Sequence, residues 1–183
     1  MQKTASFINS FGFSKVLCLG VGIPKLWFNK ITGEDVVGVD KYNKKLFPRL
    51  WTQPTKGIAK TTKKTGFDAV IINDSKHFED LEELFKIAES KIKEDGGKII
   101  FTHSIPDNIK LVTTDYLPYQ NWCGQVYEFI LNLKAKGGYK IESFEIENGV
   151  TIVEIDEKVK PEEITIEPFE DWYFSRKTLM NIK

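Results

Sequence analysis

Cysteine is scarce in this chain. Cys18 and Cys123 are the only two, too few for a disulfide framework, and both lie in apolar patterns. A reducing, cytoplasmic setting with two buried thiols is therefore expected. Net charge is also missing: 26 basic and 26 acidic residues cancel, so the overall balance does not single out nucleic acid or a polycation as a partner. No apolar run approaches the ~20 residues of a membrane span, so no membrane association is expected. Met1–Ser14 lacks a continuous apolar stretch, and no secretory signal is expected there. Histidine occurs only at positions 77 and 103. Asp74, His77 and His103 are ligand types, but nothing fixes their spacing, and no metal is expected.

What remains is a globular composition, 41% hydrophobic and 13% aromatic over 183 residues. At about 150 residues per domain, that length fits one domain with a remainder. Residues 1–156 are expected to form the domain. Residues 157–183, with Pro161, Pro168 and the aromatic cluster Phe169, Trp172, Tyr173 and Phe174, read as a tail. It should pack on the domain or on a second copy, which makes a homo-oligomer one expectation.

Short apolar runs ending in turn residues organise the domain. Lys15–Leu19 leads into Gly20-Val21-Gly22, Val36–Val39 ends at Asp40, Ala69–Ile72 at Asn73-Asp74, and Lys98–Phe101 at Thr102-His103. Runs of β-branched and aliphatic residues without alternation predict strands buried on both faces, as in a parallel sheet covered by helices. Helical spacing follows Ser75, with Phe78, Leu81, Leu84, Phe85, Ala88 and Ile92 on one stripe. It recurs over Trp122–Lys136, and a short helix is expected from Pro24 to Ile31. Then the period changes to two. Tyr139–Glu147 and Val150–Asp156 alternate around Asn148-Gly149, which predicts an antiparallel hairpin. The predicted fold class is α/β: a mainly parallel, Rossmann-like sheet flanked by helices, closed by an antiparallel C-terminal hairpin.

In such a sheet, ligands sit at the carboxyl ends of the strands. Gly20 and Gly22 remove side chains where backbone would approach a ligand, and the helix after them would face it with N–H groups. Asp40 ends the next strand, where a carboxylate can accept both hydroxyls of a ribose. Together these point to an adenosine-containing cofactor held by Gly20, Val21, Gly22, Asp40, Lys41 and Asn73. Both histidines fall beside strand ends, where an imidazole can serve as general base. His103 and His77 are the candidate catalytic residues. Tyr116, Tyr119, Trp122 and Tyr127 are candidates for lining an acceptor pocket.

At these residues the chain resembles the S-adenosylmethionine-dependent methyltransferases with a Rossmann-like fold. VLCLGVGIP is similar to that family's first motif, VVGVD to its ribose-gripping segment, and TGFDAVIINDSKHFEDLEELFKIAESKIKEDGGKIIF to its fourth strand, following helix and fifth strand. The resemblance covers about residues 12–156. It implies S-adenosylmethionine as cofactor and methyl transfer to a small-molecule hydroxyl or amine. Cys18 stands where the family's first motif has an acid, and Pro24 where it has a third glycine. Those departures, with no acid between Lys41 and Phe67, suit the alternative of a methyltransferase-like binding or assembly module without catalysis. An NAD-dependent oxidoreductase would share the glycines and Asp40 but would not need the terminal hairpin. Finally, Lys41–Lys64 holds eight basic residues and no acid, interleaved with Tyr42, Phe47 and Trp51. It reads either as a solvated loop or as a patch for nucleic acid or a phosphorylated ligand.

Overall fold

A computed structural model of the chain describes residues 2–20, 28–40, 50–52, 64–73, 78–106, 123–164, 180 and 182–183. Helix α1 spans Gln2–Asn9 and is followed by β1 (Lys15–Leu19), a 3₁₀ turn (Phe28–Lys30), β2 (Asp35–Asp40), β3 (Leu50–Thr52) and β4 (Ala69–Ile72). Then come α2 (Phe78–Lys91), β5 (Lys98–Thr102), α3 (Val126–Lys136), β6 (Tyr139–Phe144) and β7 (Val150–Ile155). The seven strands are ordered β3-β2-β1-β4-β5-β7-β6. This is the expected α/β class. The chain divides into two compact units, one of Met1–Ser75 with Glu82–Ile100 and one of Lys76–Leu81 with Phe101–Lys183, and the division falls within β5.

In the first unit β1 pairs in parallel with β2 and with β4, and β2 in parallel with β3. Val16–Leu19, Ala69, Val70 and Ile71 are fully buried and Ile72 nearly so. Each buried Val, Leu and Ile side chain among them contributes about 1.5–3 kcal/mol by leaving water. That explains why these strands carry no polar alternation. The part of α2 in this unit buries Leu84, Phe85 and Ala88, as the 3.6-residue spacing predicts. Helix α1 is an element that the sequence analysis did not anticipate. It is tied by Asn9, whose amide donates to the Lys30 carbonyl (2.7 Å) while its oxygen accepts from the Thr32 N–H (3.0 Å).

The second unit contains the antiparallel β6–β7 hairpin, with Tyr139 opposite Ile155 and Phe144 opposite Val150. Here the structure corrects the expected turn. β6 ends at Phe144, three residues early, and the connection runs over five residues rather than a two-residue Asn-Gly turn. The positive φ values fall on Glu147 (54°) and Gly149 (91°), not on Asn148. α3 also starts later than its apolar stripe, because a turn at 124–125 with Gly124 at φ 54° precedes it. After β7 the chain returns to the α3–β6 corner. The Gly138 N–H donates to the Val159 carbonyl, and Lys134 pairs with Glu162 at 3.0 Å. Farther on, Met180 is fully buried and Ile182 bridges Ser143 of β6 in parallel. Among the described residues no helix is long and apolar enough to cross a membrane.

One carboxylate organises the amino ends of the first unit's strands. Asp68 Oδ2 accepts from the N–H groups of Ser14 and Lys15, both at 2.9 Å, and Oδ1 pairs with Lys93 Nζ at 2.9 Å. The Lys15 amide and the Lys93 ammonium hold this carboxyl below its ordinary pKa of 3.8. Asp68→Ala should therefore cost roughly 1.5–3 kcal/mol in urea unfolding at neutral pH, the range for hydrogen bonds to a charged group. Because the native pKa is the lower one, this stabilisation is fully present above about pH 5 and is lost as pH falls through the native value. The gap between parent and variant should close in acid. A gap that stays constant down to pH 2 would show that the carboxylate's charge contributes nothing.

Candidate functional site

Three of the residues expected to hold a cofactor lie at adjacent strand ends in the first unit. Gly20 follows β1 with φ 83°. Its N–H donates to the Val39 carbonyl of β2 at 2.9 Å, and its carbonyl accepts from the Asn73 amide at 3.4 Å. The Asn73 N–H in turn donates to the Leu19 carbonyl at 2.8 Å. Gly20 is thus held between the carboxyl ends of β2 and β4. Its N–H is used within the sheet, so what it presents to a ligand is the absence of a Cβ. Asp40 is the last residue of β2, one position past Val39 and in register with Thr52 of β3. The β1–β2 and β1–β4 registers therefore bring Gly20, Asp40 and Asn73 to one sheet edge. Val21, Gly22, Lys41 and His77 lie outside the described residues, as do Tyr116, Tyr119 and Trp122. Of the basic stretch, Lys64 is described, and it pairs with Asp35 at 2.8 Å.

Cys18, at the position where the resembling motif has an acid, is fully buried between Gly38 and Ile71 with its thiol unoxidised. Tyr127 lies half-buried on α3, where burial and then the neighbouring Glu128 push its phenol above 10.0. Among the described residues no group of three or more His, Cys, Asp or Glu is placed to hold a metal ion.

His103 belongs to the second unit and directly follows β5. It is half-buried, with Nδ1 3.3 Å from the Thr102 hydroxyl. Its backbone sits at φ 57°, in the left-handed region. A residue other than glycine pays about 1–2 kcal/mol there, and such strain gathers at functional sites. The next two residues hold it in place. The N–H of Ser104 donates to the Gly149 carbonyl (3.4 Å) and that of Ile105 to the Asn148 carbonyl (3.0 Å). These anchors were missed from sequence, because hairpin turns advertise their own geometry and not what they pack on. A Cβ on Gly149 would collide with the Ile105 nitrogen and side chain, at a φ of 91°. Gly149→Ala should accordingly destabilise the second unit by at least about 1–3 kcal/mol, read as a loss of Tm. A variant as stable as the parent would mean that the turn does not press on the segment after His103.

No protein-family model matches the sequence, and no curated protein matches it. Solved structures do match. A methyltransferase from Podospora anserina, solved with bound SAH, superposes with a TM-score of 0.60 at 15% identity, covering 83% of this chain and 76% of that one. The O-methyltransferase TomG from Streptomyces achromogenes, involved in tomaymycin synthesis and solved with SAM, gives 0.55 at 15% identity, over 85% and 79%. An rRNA methylase from Streptococcus thermophilus gives 0.55 at 15% identity, over 84% and 94%. Strand order, parallel registers, terminal hairpin and these superpositions agree, and the fold is that of the Rossmann-like S-adenosylmethionine-dependent methyltransferases.

Proposed function

We propose that the protein is an S-adenosylmethionine-dependent methyltransferase acting on a small-molecule hydroxyl or amine. The observation that carries this reading is the meeting of Gly20, Asp40 and Asn73 at the carboxyl edge of β1, β2 and β4. The donor set fits an adenosine-bearing cofactor: a position without Cβ beside the chain, a carboxylate for ribose hydroxyls, and an amide fixing the glycine. When bound, the cofactor supplies an electrophilic methyl group on a sulfonium. The protein's part is mostly positioning. Asp40 binds the ribose, and Asn73 keeps the Gly20 peptide in its left-handed turn. Val21, Gly22 and Lys41 complete the cofactor set by their place in the sequence. His103 receives the acceptor's proton as general base. His77 is the second candidate for the same role. The involvement of TomG in tomaymycin synthesis supports a small-molecule acceptor.

Calorimetry with S-adenosylhomocysteine and NAD tests this reading. The parent should bind the former and not NAD, and Asp40→Ala should weaken binding by about 1.5–3 kcal/mol. Equal affinity in the variant removes the ribose assignment. Binding of NAD alone makes the chain an oxidoreductase, and binding of neither makes it an assembly module.

A second reading of the acceptor is favoured by the eight basic residues of Lys41–Lys64 and by the likeness to an rRNA methylase. In it, the acceptor carries phosphate, and the stretch neutralises it. Affinity for a short RNA should then fall steeply with salt, and replacing Lys56, Lys60 and Lys63 with Gln should lower the slope by up to about 2–3 in log–log form. An RNA that fails to bind at low salt returns the stretch to a solvated loop.

A further inference from the structure

A chain of three buried hydroxyls runs through the second unit to the residue beside His103. Ser143 on β6, Thr151 on β7 and Ser104 after β5 are each fully buried. Ser143 Oγ lies 2.8 Å from Thr151 Oγ1, and Thr151 Oγ1 donates to Ser104 Oγ, also at 2.8 Å. A threonine hydroxyl has one proton. Since Thr151 gives its proton to Ser104, Ser143 must be the donor to Thr151. The chain therefore has a direction, from β6 through β7 toward the segment after β5. Ser143 and Thr151 are directly opposed in the hairpin register, so the pair needs no adjustment of the sheet to form.

The sequence alternation would put apolar residues at these inward positions, next to Ile141 and Val153. A dry core gains little from such groups, because burying a hydroxyl costs free energy that its hydrogen bond only offsets. What three linked hydroxyls supply is direction: a hydrogen bond fixes an angle and a distance where a methyl contact fixes neither. The segment so fixed is the one that needs it. Ser104 follows a histidine at φ 57°, a conformation that the chain would leave unless its neighbours held it. The backbone supplies two of those holds, through Asn148 and Gly149, and the Thr151 hydroxyl supplies the third.

We infer that Thr151 and Ser104 are positioning residues for His103. Their hydroxyl pair, backed by Ser143, holds the imidazole-bearing residue in its left-handed conformation at the end of β5. The inference rests on His103 acting as the base, as proposed above, but the hold itself is a property of the protein alone. It can be read without cofactor or acceptor.

The test uses imidazole NMR of the full chain. It has two histidines, so His103→Ala assigns the signals by loss of one. Thr151→Val removes the hydroxyl at nearly constant volume, and Ser104→Ala removes its acceptor. In both, the His103 Cε1–H signal should move by more than its line width or split into two, while the His77 signal stays. Thr151→Ser, which keeps the hydroxyl, should restore the parent position. A role confined to packing predicts the opposite pattern: a lower Tm with the His103 signal unmoved in the folded protein. That result, in whichever of the two variants folds, overturns the inference. Calorimetry with S-adenosylhomocysteine on the same samples separates the two questions. Loss of binding in the parent refutes the methyltransferase reading and leaves the His103 signals to decide the positioning. If the signals move, the methyl-transfer rate to an acceptor, once found, should fall roughly 10- to 100-fold in Thr151→Val, the scale for a misplaced reacting group.

Discussion

The carboxylate of Asp68 sets the frame on which the candidate cofactor site stands. It takes the N–H groups of Ser14 and Lys15, at the entry to β1, on one oxygen and the Lys93 ammonium on the other. Its own backbone continues the arrangement, with the N–H donating to the Lys15 carbonyl and the carbonyl accepting from Lys98. One residue thereby ties the starts of β1, β4 and β5. With those starts pinned, the registers are determined, and the strand lengths decide where the carboxyl ends fall. β1 has five residues and β4 has four, so Leu19 stands opposite Ile72, and Asn73 follows within reach of Gly20. A slip by one residue would carry the ends about 3.3 Å apart and exchange the two buried faces of the strand.

The two ends of the sheet divide the work by polarity. At the amino ends a full charge is compensated by an ammonium and by amides, which anchors. At the carboxyl ends of the first unit the contacts are neutral: backbone bonds of 2.9 Å from Gly20 to Val39 and 2.8 Å from Asn73 to Leu19, and the 3.4 Å bond from the Asn73 amide to Gly20. The second unit follows a similar division. Its hairpin is well paired through the six positions from Tyr139 to Phe144, and among the described residues the non-glycine residues with positive φ, His103 and Glu147, lie past the ends of strands.

Much of the fold was legible because burial on both faces leaves a simple trace. Lys15–Leu19 and Ala69–Ile72 match the observed strands end to end. The hairpin and α2 were legible for the same kind of reason, since their periods are set by which face meets the core. What was missed lacks such a trace. α1 is short and buries only Thr4, Ala5 and Ile8, too few to show a stripe. β3, left open in the sequence as strand or loop, has three residues in a basic stretch, and its place comes from register with β2, not from its own composition. At the site, Gly20, Asp40 and Asn73 could be named because strand ends carry turn residues. The left-handed histidine and its hydroxyl support could not. They depend on Gly149 meeting Ile105, 44 positions apart, and no local pattern encodes that approach.

The two cysteines, neither of them in a disulfide, have a use beyond packing. Cys18 lies on β1 in the first unit and Cys123 just before α3 in the second, both with no exposed surface. A buried thiol is chemically inert until its surroundings open. Each is therefore a native clock on the opening of its own unit, readable by alkylation and mass spectrometry with nothing added to the chain. If the units open together, the two thiols are modified at one rate. If one loosens first, as local opening commonly allows, the rates separate, and a ligand that binds a single unit should slow only that unit's thiol.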